Sequence, residues 1–113
     1  MIYGIDFDGT IVKEKFPAIG EPVKAVVDFI RRVQDTGNKW ILITMREGEL
    51  LKDALSFLAI NGLTPDAVND NLPERIEKWG NNPRKIYADY YIDDHNVGGV
   101  QLPIIFKNYE KAE

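Results

Sequence analysis

The sequence contains no cysteine and only one histidine among its 113 residues, and it has no long apolar run. Without cysteine there is no disulfide framework and no zinc site built on thiolates, which suits a reducing compartment such as the cytoplasm. No apolar stretch approaches the roughly 18 residues that a transmembrane helix needs. The N-terminus lacks the basic and apolar regions of a signal peptide. We therefore expect a cytoplasmic protein with no membrane attachment of its own.

Positive charge is also in short supply. Lysine and arginine number 14 against 18 aspartate and glutamate residues, so the net charge is −4, and the pI is about 5.0. A broad basic surface for nucleic acid is therefore not expected. Hydrophobic residues make up 44% of the chain, enough for a real core in a single domain spanning residues 1–113.

Short apolar runs alternate with amphipathic segments along the chain. Helices are expected to open at Pro22, after Gly48 and at Pro73. Strands are predicted at residues 2–7, 40–43, 66–68, 88–92 and, as an edge strand, 103–106. This alternation predicts an α/β fold, a three-layer, Rossmann-like parallel sheet with helices on both faces. Residues 11–20, between the first strand and the first helix, are predicted to form a short flap.

Two carboxylates mark the end of the first strand. Asp6 and Asp8 are two residues apart, and their side chains point the same way because side chains alternate along a strand. Gly9 permits a sharp turn that lets a ligand approach the backbone, and Thr10 adds a hydroxyl and an amide. Paired carboxylates repel each other unless a cation neutralises them, and oxygen ligands of this kind suit Mg²⁺.

Polar residues also follow other strands. Thr44 ends the second strand and Asp93-Asp94 ends the fourth. Ligands of parallel sheets bind beyond the carboxyl ends of the strands, so these side chains are expected to meet the acidic pair of the first strand. With Mg²⁺ bound, such a pocket accepts a phosphate dianion, and Thr44 and Lys85 can hold its remaining oxygens.

These motifs resemble, in content and order, those of the haloacid dehalogenase (HAD) superfamily of phosphatases. The matching residues are Asp6-Phe7-Asp8-Gly9-Thr10, Thr44, Lys85 and Asp93-Asp94. The resemblance implies a HAD-like fold in which Asp6 is the nucleophile and forms an aspartyl-phosphate, while Asp8 is the general acid and base. It further implies that Mg²⁺ is held by the Asp6 side chain, the Asp8 backbone carbonyl and Asp93, while Thr44 and Lys85 bind the phosphoryl group.

The expected phosphate site also includes Gly9, Thr10, Met45 and Arg46. Arg46 is expected at the mouth of the site, where it either reaches a substrate phosphate or carboxylate or pairs with a neighbouring glutamate in solvent.

Three further residues bear on the predicted site, and each leaves an alternative open. Lys78 is the alternative to Lys85 as the phosphate-binding lysine. Asp94 either binds the metal, directly or through a water, or orients Lys85. His95 either contacts substrate or is a hydrogen-bonded turn residue.

The chain has no room for the cap domain that many HAD phosphatases carry, so the resemblance is to the small capless type. Members of that type either act on large substrates, whose own surface closes the site, or form oligomers in which a neighbour helps to cover it. For this small, acidic chain we expect a homo-oligomer, such as a tetramer. The predicted function is Mg²⁺-dependent hydrolysis of a small phosphorylated metabolite such as a sugar phosphate, with Mn²⁺ as the alternative ion. Two alternatives remain: a receiver-like signalling module that binds Mg²⁺ and phosphate without hydrolysis, and a nucleic-acid end phosphatase, which the negative net charge disfavours.

Overall fold

Four parallel strands and three helices alternate along residues 1–105, the part of the chain that the computed structural model describes. In chain order they are β1 (Ile2–Asp6), α1 (Lys24–Asp35), β2 (Lys39–Ile43), α2 (Gly48–Ile60), β3 (Ala67–Val68), α3 (Pro73–Trp79) and β4 (Tyr90–Ile92). The strands form a sheet in the order β3-β2-β1-β4, and each neighbouring pair is parallel. The predicted α/β architecture with a parallel sheet is confirmed.

The strand order places a crevice at the carboxyl end of β1. The chain passes from β1 outward through β2 to β3 and then returns to β4 on the other side of β1. At such a reversal the connections leave in opposite directions, which opens a crevice beyond the strand ends where ligands bind. Asp6, the last residue of β1, lies at this point.

The two faces of the sheet are covered unequally. On one face, Tyr3, Ile5, Trp40 and Leu42 belong to the larger buried cluster, together with apolar residues of α1 and α2. The buried residues of α1 are Val26, Val27, Phe29, Ile30 and Val33, the spacing of one helical face.

The other face of the sheet has a smaller buried cluster made of Ile2, Ile41, Leu72 and Ala88. Leu72 directly precedes α3, and α3 itself buries no residue. The prediction of helices on both faces is therefore only partly right. Segment 72–88, rather than a well-packed helix, covers the second face, because the apolar residues of α3, Ile76 and Trp79, are not buried against the sheet.

The first helix starts later than predicted. α1 begins at Lys24, whereas the sequence predicted a start at Pro22. Pro22 instead forms an isolated antiparallel bridge with Val12, and the Lys13 N–H donates to the Glu21 carbonyl at 2.8 Å. These residues close the base of the flap, so their backbone groups are already used when the helix starts.

The predicted edge strand at 103–106 is wrong for the residues that the structure describes. Residues 103–105 have no strand pairing, and Phe106 lies outside the described residues. The neighbouring β4 has only three residues, and Pro103 has no N–H to donate to a ladder.

Within residues 1–105, no helix is long and apolar enough to cross a membrane.

Candidate active site

Two adjoining cavities lie at the carboxyl ends of β1, β2 and β4. The larger has a volume of about 710 Å³, and its lining residues are Asp6, Asp8, Glu14, Phe16, Ile43, Thr44, Met45, Arg46, Asp93 and His95. The smaller has a volume of about 310 Å³, and its lining includes Asp6, Asp93 and Lys85. The structure thus brings together most of the site residues predicted from the sequence, although they come from four separate parts of the chain.

Asp6 lies half-buried in an environment that disfavours its charge. Its pKa is raised from 3.8 to about 7, chiefly by burial and further by the negative charges of Asp93 and Asp94. Hydrogen bonds from the Thr10 hydroxyl, at 3.3 Å, and from the Phe7 backbone lower the pKa only in part. A carboxylate so placed would be stabilised by a nearby cation.

The turn after β1 connects Asp6 to the loop after β4. Thr10 is fully buried; its hydroxyl donates to Asp6 Oδ2 and accepts the Asp94 N–H at 3.0 Å. Gly9 has φ +82°, and a Cβ at this position would overlap the Asp94 carboxylate, so glycine is required here.

The backbone amides of this turn are engaged within the protein. The Gly9 N–H donates to the Val12 carbonyl and the Thr10 N–H donates to the Phe7 carbonyl. A contact from either amide to phosphate stays a prediction, and it would require these bonds to rearrange.

Asp8 is held by a buried arginine that the sequence analysis did not pair with it. Arg46 Nε donates to Asp8 Oδ2 and Nη2 donates to Oδ1, both at 2.8 Å. The Arg46 side chain has no exposed surface, so it does not stand in solvent at the mouth of the site. The bonds to Asp8 raise the pKa of Arg46, against the opposing effect of burial. Its predicted contact with a substrate phosphate stays a prediction.

Thr44 is fixed from two sides. Its N–H donates to Asn69 Oδ1 at 2.8 Å, and its hydroxyl accepts the Arg46 N–H at 3.1 Å. Asn69 directly follows β3 and has φ +50°, a conformation that asparagine tolerates better than most residues. Sequence reasoning missed Asn69; an asparagine one residue beyond a strand end was the available signal. Met45, next to Thr44, is almost fully exposed.

The two candidate phosphate-binding lysines differ in their positions relative to the cavities. Lys85 lines the smaller cavity with Asp6 and Asp93, whereas Lys78, in the last turn of α3, lines neither cavity. This favours Lys85 over Lys78 for that role.

Asn71, which the sequence analysis also missed, holds the segment that carries Lys85. Its Nδ2 donates to the carbonyls of Pro83 and Lys85, both at 3.2 Å, and its Oδ1 accepts the Tyr87 N–H at 2.7 Å. Asn71 is buried, so these bonds are shielded from water.

Asp93, Asp94 and His95 form the acidic side of the site. Their ligand atoms lie within 4.8 Å of one another, and the His95 N–H donates to Asp93 Oδ1 at 2.9 Å. The His95 Nε2 is 3.7 Å from Asp94 Oδ1, with the imidazole largely exposed. Asp6 lies outside this group of three, yet the charges of Asp93 and Asp94 still raise its pKa. The carboxylate oxygens are hard donors of the kind that Mg²⁺ prefers.

Comparison with known proteins gives one informative similarity. A solved structure of a conserved protein from Bacteroides thetaiotaomicron is 40% identical to this chain and superimposes with a TM-score of 0.79. The match covers 89% of this chain and 81% of the other. No protein-family model and no curated protein matches the sequence.

Proposed function

We propose that this chain, which belongs to the same family as the conserved Bacteroides thetaiotaomicron protein, is a capless, HAD-like, Mg²⁺-dependent phosphomonoester hydrolase. The observation that carries the proposal is the meeting of Asp6, Asp8, Thr44, Lys85 and Asp93 around two cavities at the carboxyl ends of the strands, and Asp6 and Asp93 line both. The motifs that resemble the HAD superfamily are thus neighbours in space as well as correctly ordered in the sequence.

The donor set fits Mg²⁺. The proposed ligands are the carboxylates of Asp6 and Asp93 and the backbone carbonyl of Asp8, with Asp94 beside them; every one of these donors is an oxygen. Burial, and after it the negative charges of Asp93 and Asp94, raise the pKa of Asp6; a divalent cation would offset both effects. When bound, Mg²⁺ supplies positive charge that lets a phosphate dianion enter an acidic pocket.

Each residue then has a defined role in the proposed reaction. A carboxylate oxygen of Asp6 attacks phosphorus and forms an aspartyl-phosphate, while the bond from phosphorus to the ester oxygen breaks. Asp8 gives a proton to the departing alcohol and takes one from the water that attacks the intermediate, which releases phosphate and restores Asp6. Thr44 and Lys85 hold the non-bridging phosphoryl oxygens.

The proposed substrate is a small phosphorylated metabolite, such as a sugar phosphate, in the cytoplasm. The larger cavity, at about 710 Å³, has room for a leaving group of that size. Phe16 and Met45 expose apolar surface at its mouth. This exposure supports a homo-oligomer, such as a tetramer, in which a second copy covers the site.

The test is hydrolysis of an aryl phosphate with and without Mg²⁺. We expect the wild type to turn over only with Mg²⁺ and Asp6→Asn to lose activity by at least about 10³-fold, because it lacks the nucleophile. Asp28→Asn, an exposed aspartate on α1, is the control and should retain wild-type activity.

Two results would count against the proposal. Turnover that Asp6→Asn leaves intact would show that another group does the chemistry. A stable phosphoprotein without turnover would instead support the receiver-like module.

A further inference from the structure

Arg46 joins three parts of the molecule: the loop after β1, the flap and the first turn of α2. Its side chain is fully buried although it follows the strand end where the larger cavity opens. A buried guanidinium needs a partner for its charge and for each N–H, so its bonds show what it holds in place.

Every N–H of the Arg46 guanidinium has an acceptor in the protein. Nε and Nη2 donate to the two oxygens of Asp8. Nη2 also donates to the Ala18 carbonyl at 3.0 Å, and Nη1 donates to the carbonyls of Pro17 at 3.2 Å and Leu50 at 3.3 Å. A guanidinium has five N–H donors, so none is left over for a substrate in this arrangement.

Two of these acceptors belong to the flap, and an aromatic ring of the flap adds a further contact. The Arg46 guanidinium carbon lies 5.1 Å from the centre of the Phe16 ring and 5.3 Å from that of Phe7. Phe7 is fully buried, whereas Phe16 is half-exposed and lines the larger cavity. Arg46 therefore packs against the Phe16 ring that lines the cavity, and it also holds the backbone of the flap through hydrogen bonds.

We infer that Arg46 is a positioning residue that fixes the Asp8 carboxylate and fastens the flap in one arrangement, so that Phe16 forms the leaving-group wall of the cavity. The inference rests on the proposed phosphatase function for its kinetic consequence and on geometry alone for its structural one. The Arg46 side chain links the Asp8 carboxylate to Pro17 and Ala18 of the flap, so we expect a change at Asp8 to alter the flap.

The kinetic test compares Arg46→Gln and Arg46→Lys with Arg31→Gln on an aryl phosphate with Mg²⁺. Arg46→Gln removes the charge and most donors, so we expect kcat to fall about 100-fold, the scale of a small misplacement of a catalytic group. KM should change less than about threefold, because every N–H of the Arg46 guanidinium already has an acceptor in the protein. Arg46→Lys keeps the charge but not the fork, so it should recover part of the loss. Arg31, on the surface of α1, is the matched control.

Phe16→Ala tests the role of the Phe16 ring separately from the role of the Arg46 side chain. If Phe16 contacts the leaving group, this variant should raise KM at least about threefold and leave kcat closer to wild type, the reverse of the Arg46 pattern. A Phe16→Ala variant whose KM equals that of the wild type would remove Phe16 from the inference.

The structural test needs no activity. Lys15 lies exposed in the flap, and limited trypsin digestion followed by mass spectrometry measures how often the chain opens there. We expect cleavage after Lys15 to be at least about tenfold faster in Arg46→Gln than in the wild type. It should also be faster in Asp8→Asn, which removes the charged acceptor of two Arg46 bonds. Arg31→Gln should match the wild type.

The outcomes separate the two proposals. A wild type without Mg²⁺-dependent turnover would defeat the proposed function, and the rate of flap cleavage would then decide the inference by itself. If Arg46→Gln does not fold, Asp8→Asn decides it through the same cleavage. Folded Arg46→Gln with wild-type kcat, or Asp8→Asn with a wild-type cleavage rate, would overturn the inference.

Discussion

At the scale of single residues, the site depends on where a few charges sit relative to the strand ends. Asp6, Asp8, Thr44 and Asp93 were predictable as neighbours, because the carboxyl ends of parallel strands meet at one edge. The partner of Asp8 was not predictable, because Arg46 lies 38 residues away. Sequence spacing does not show which way such a side chain turns, nor that it is buried rather than solvated.

Asp6 predicts a pH dependence of stability in the metal-free protein. Its pKa is about 7 in the folded protein, against 3.8 for an ordinary aspartate side chain such as that of the unfolded chain. A carboxyl with a raised pKa stabilises the fold fully below the unfolded value and loses this contribution as pH rises through the folded value. We therefore expect Asp6→Asn to gain stability relative to the wild type between about pH 4 and 7 and to keep that advantage at pH 8.

Thermal unfolding of both proteins in a chelator, at pH 5 and pH 8, measures this difference. Adding Mg²⁺ at pH 8 should raise the Tm of the wild type more than that of Asp6→Asn, because a ligand that binds the native state stabilises it. A Tm difference between the two proteins that does not change with pH would contradict the proposed electrostatic origin.

At the scale of elements, the strands were easier to predict than the segments between them. Runs such as Trp40-Ile41-Leu42-Ile43 are apolar enough to be recognised as buried strands. The start of α1 was misplaced because Pro22 suits the first turn of a helix and equally suits the bridge that closes the flap. Tertiary contacts decide between the helix start and the bridge, and the local sequence around Pro22 does not show these contacts.

Segment 72–88 is the element whose position matters most for Lys85. Asn71 holds it through bonds to the Pro83 and Lys85 carbonyls and the Tyr87 N–H. Asn71→Ala would remove the buried side chain that pairs these partly buried backbone groups, so we expect it to lower the free energy of unfolding by about 1–3 kcal/mol. It should also weaken turnover through misplacement of Lys85. Urea denaturation and aryl phosphate kinetics measure the two effects.

Asn81→Ala is the control, because Asn81 is exposed in the same part of the chain. It should change neither quantity measurably. An Asn71→Ala variant as stable as Asn81→Ala would show that the backbone of this segment does not depend on the Asn71 side chain.

At the scale of the whole molecule, the sheet has one well-packed face and one thin face. The fold class was predictable from the alternation of strands and helices, while the imbalance between the faces was not. It follows from α3, which buries no residue, and from the aliphatic side chains of β1 and β2 that face segment 72–88. Stability should therefore reside chiefly in the face that α1 and α2 cover.

Leu42 tests the part of this expectation that concerns the larger cluster. It is fully buried in the larger cluster, so we expect Leu42→Ala to lower the free energy of unfolding by about 2–5 kcal/mol through lost burial and the cavity left behind. Ile60, at the end of α2, is 86% exposed, and Ile60→Ala should cost little. Urea denaturation of both variants is the measurement, and equal costs would contradict a core centred under the two helices.

The two cavities have a consequence for inhibition. Asp6 and Asp93 line both of them, so an elongated inhibitor that passes these carboxylates could occupy both spaces at once. One end of such a molecule would rest against Phe16, which lines the larger cavity. The other end would approach Lys85, which lines the smaller one. A compound that fills only the smaller cavity, of about 310 Å³, leaves the larger one, of about 710 Å³, unused.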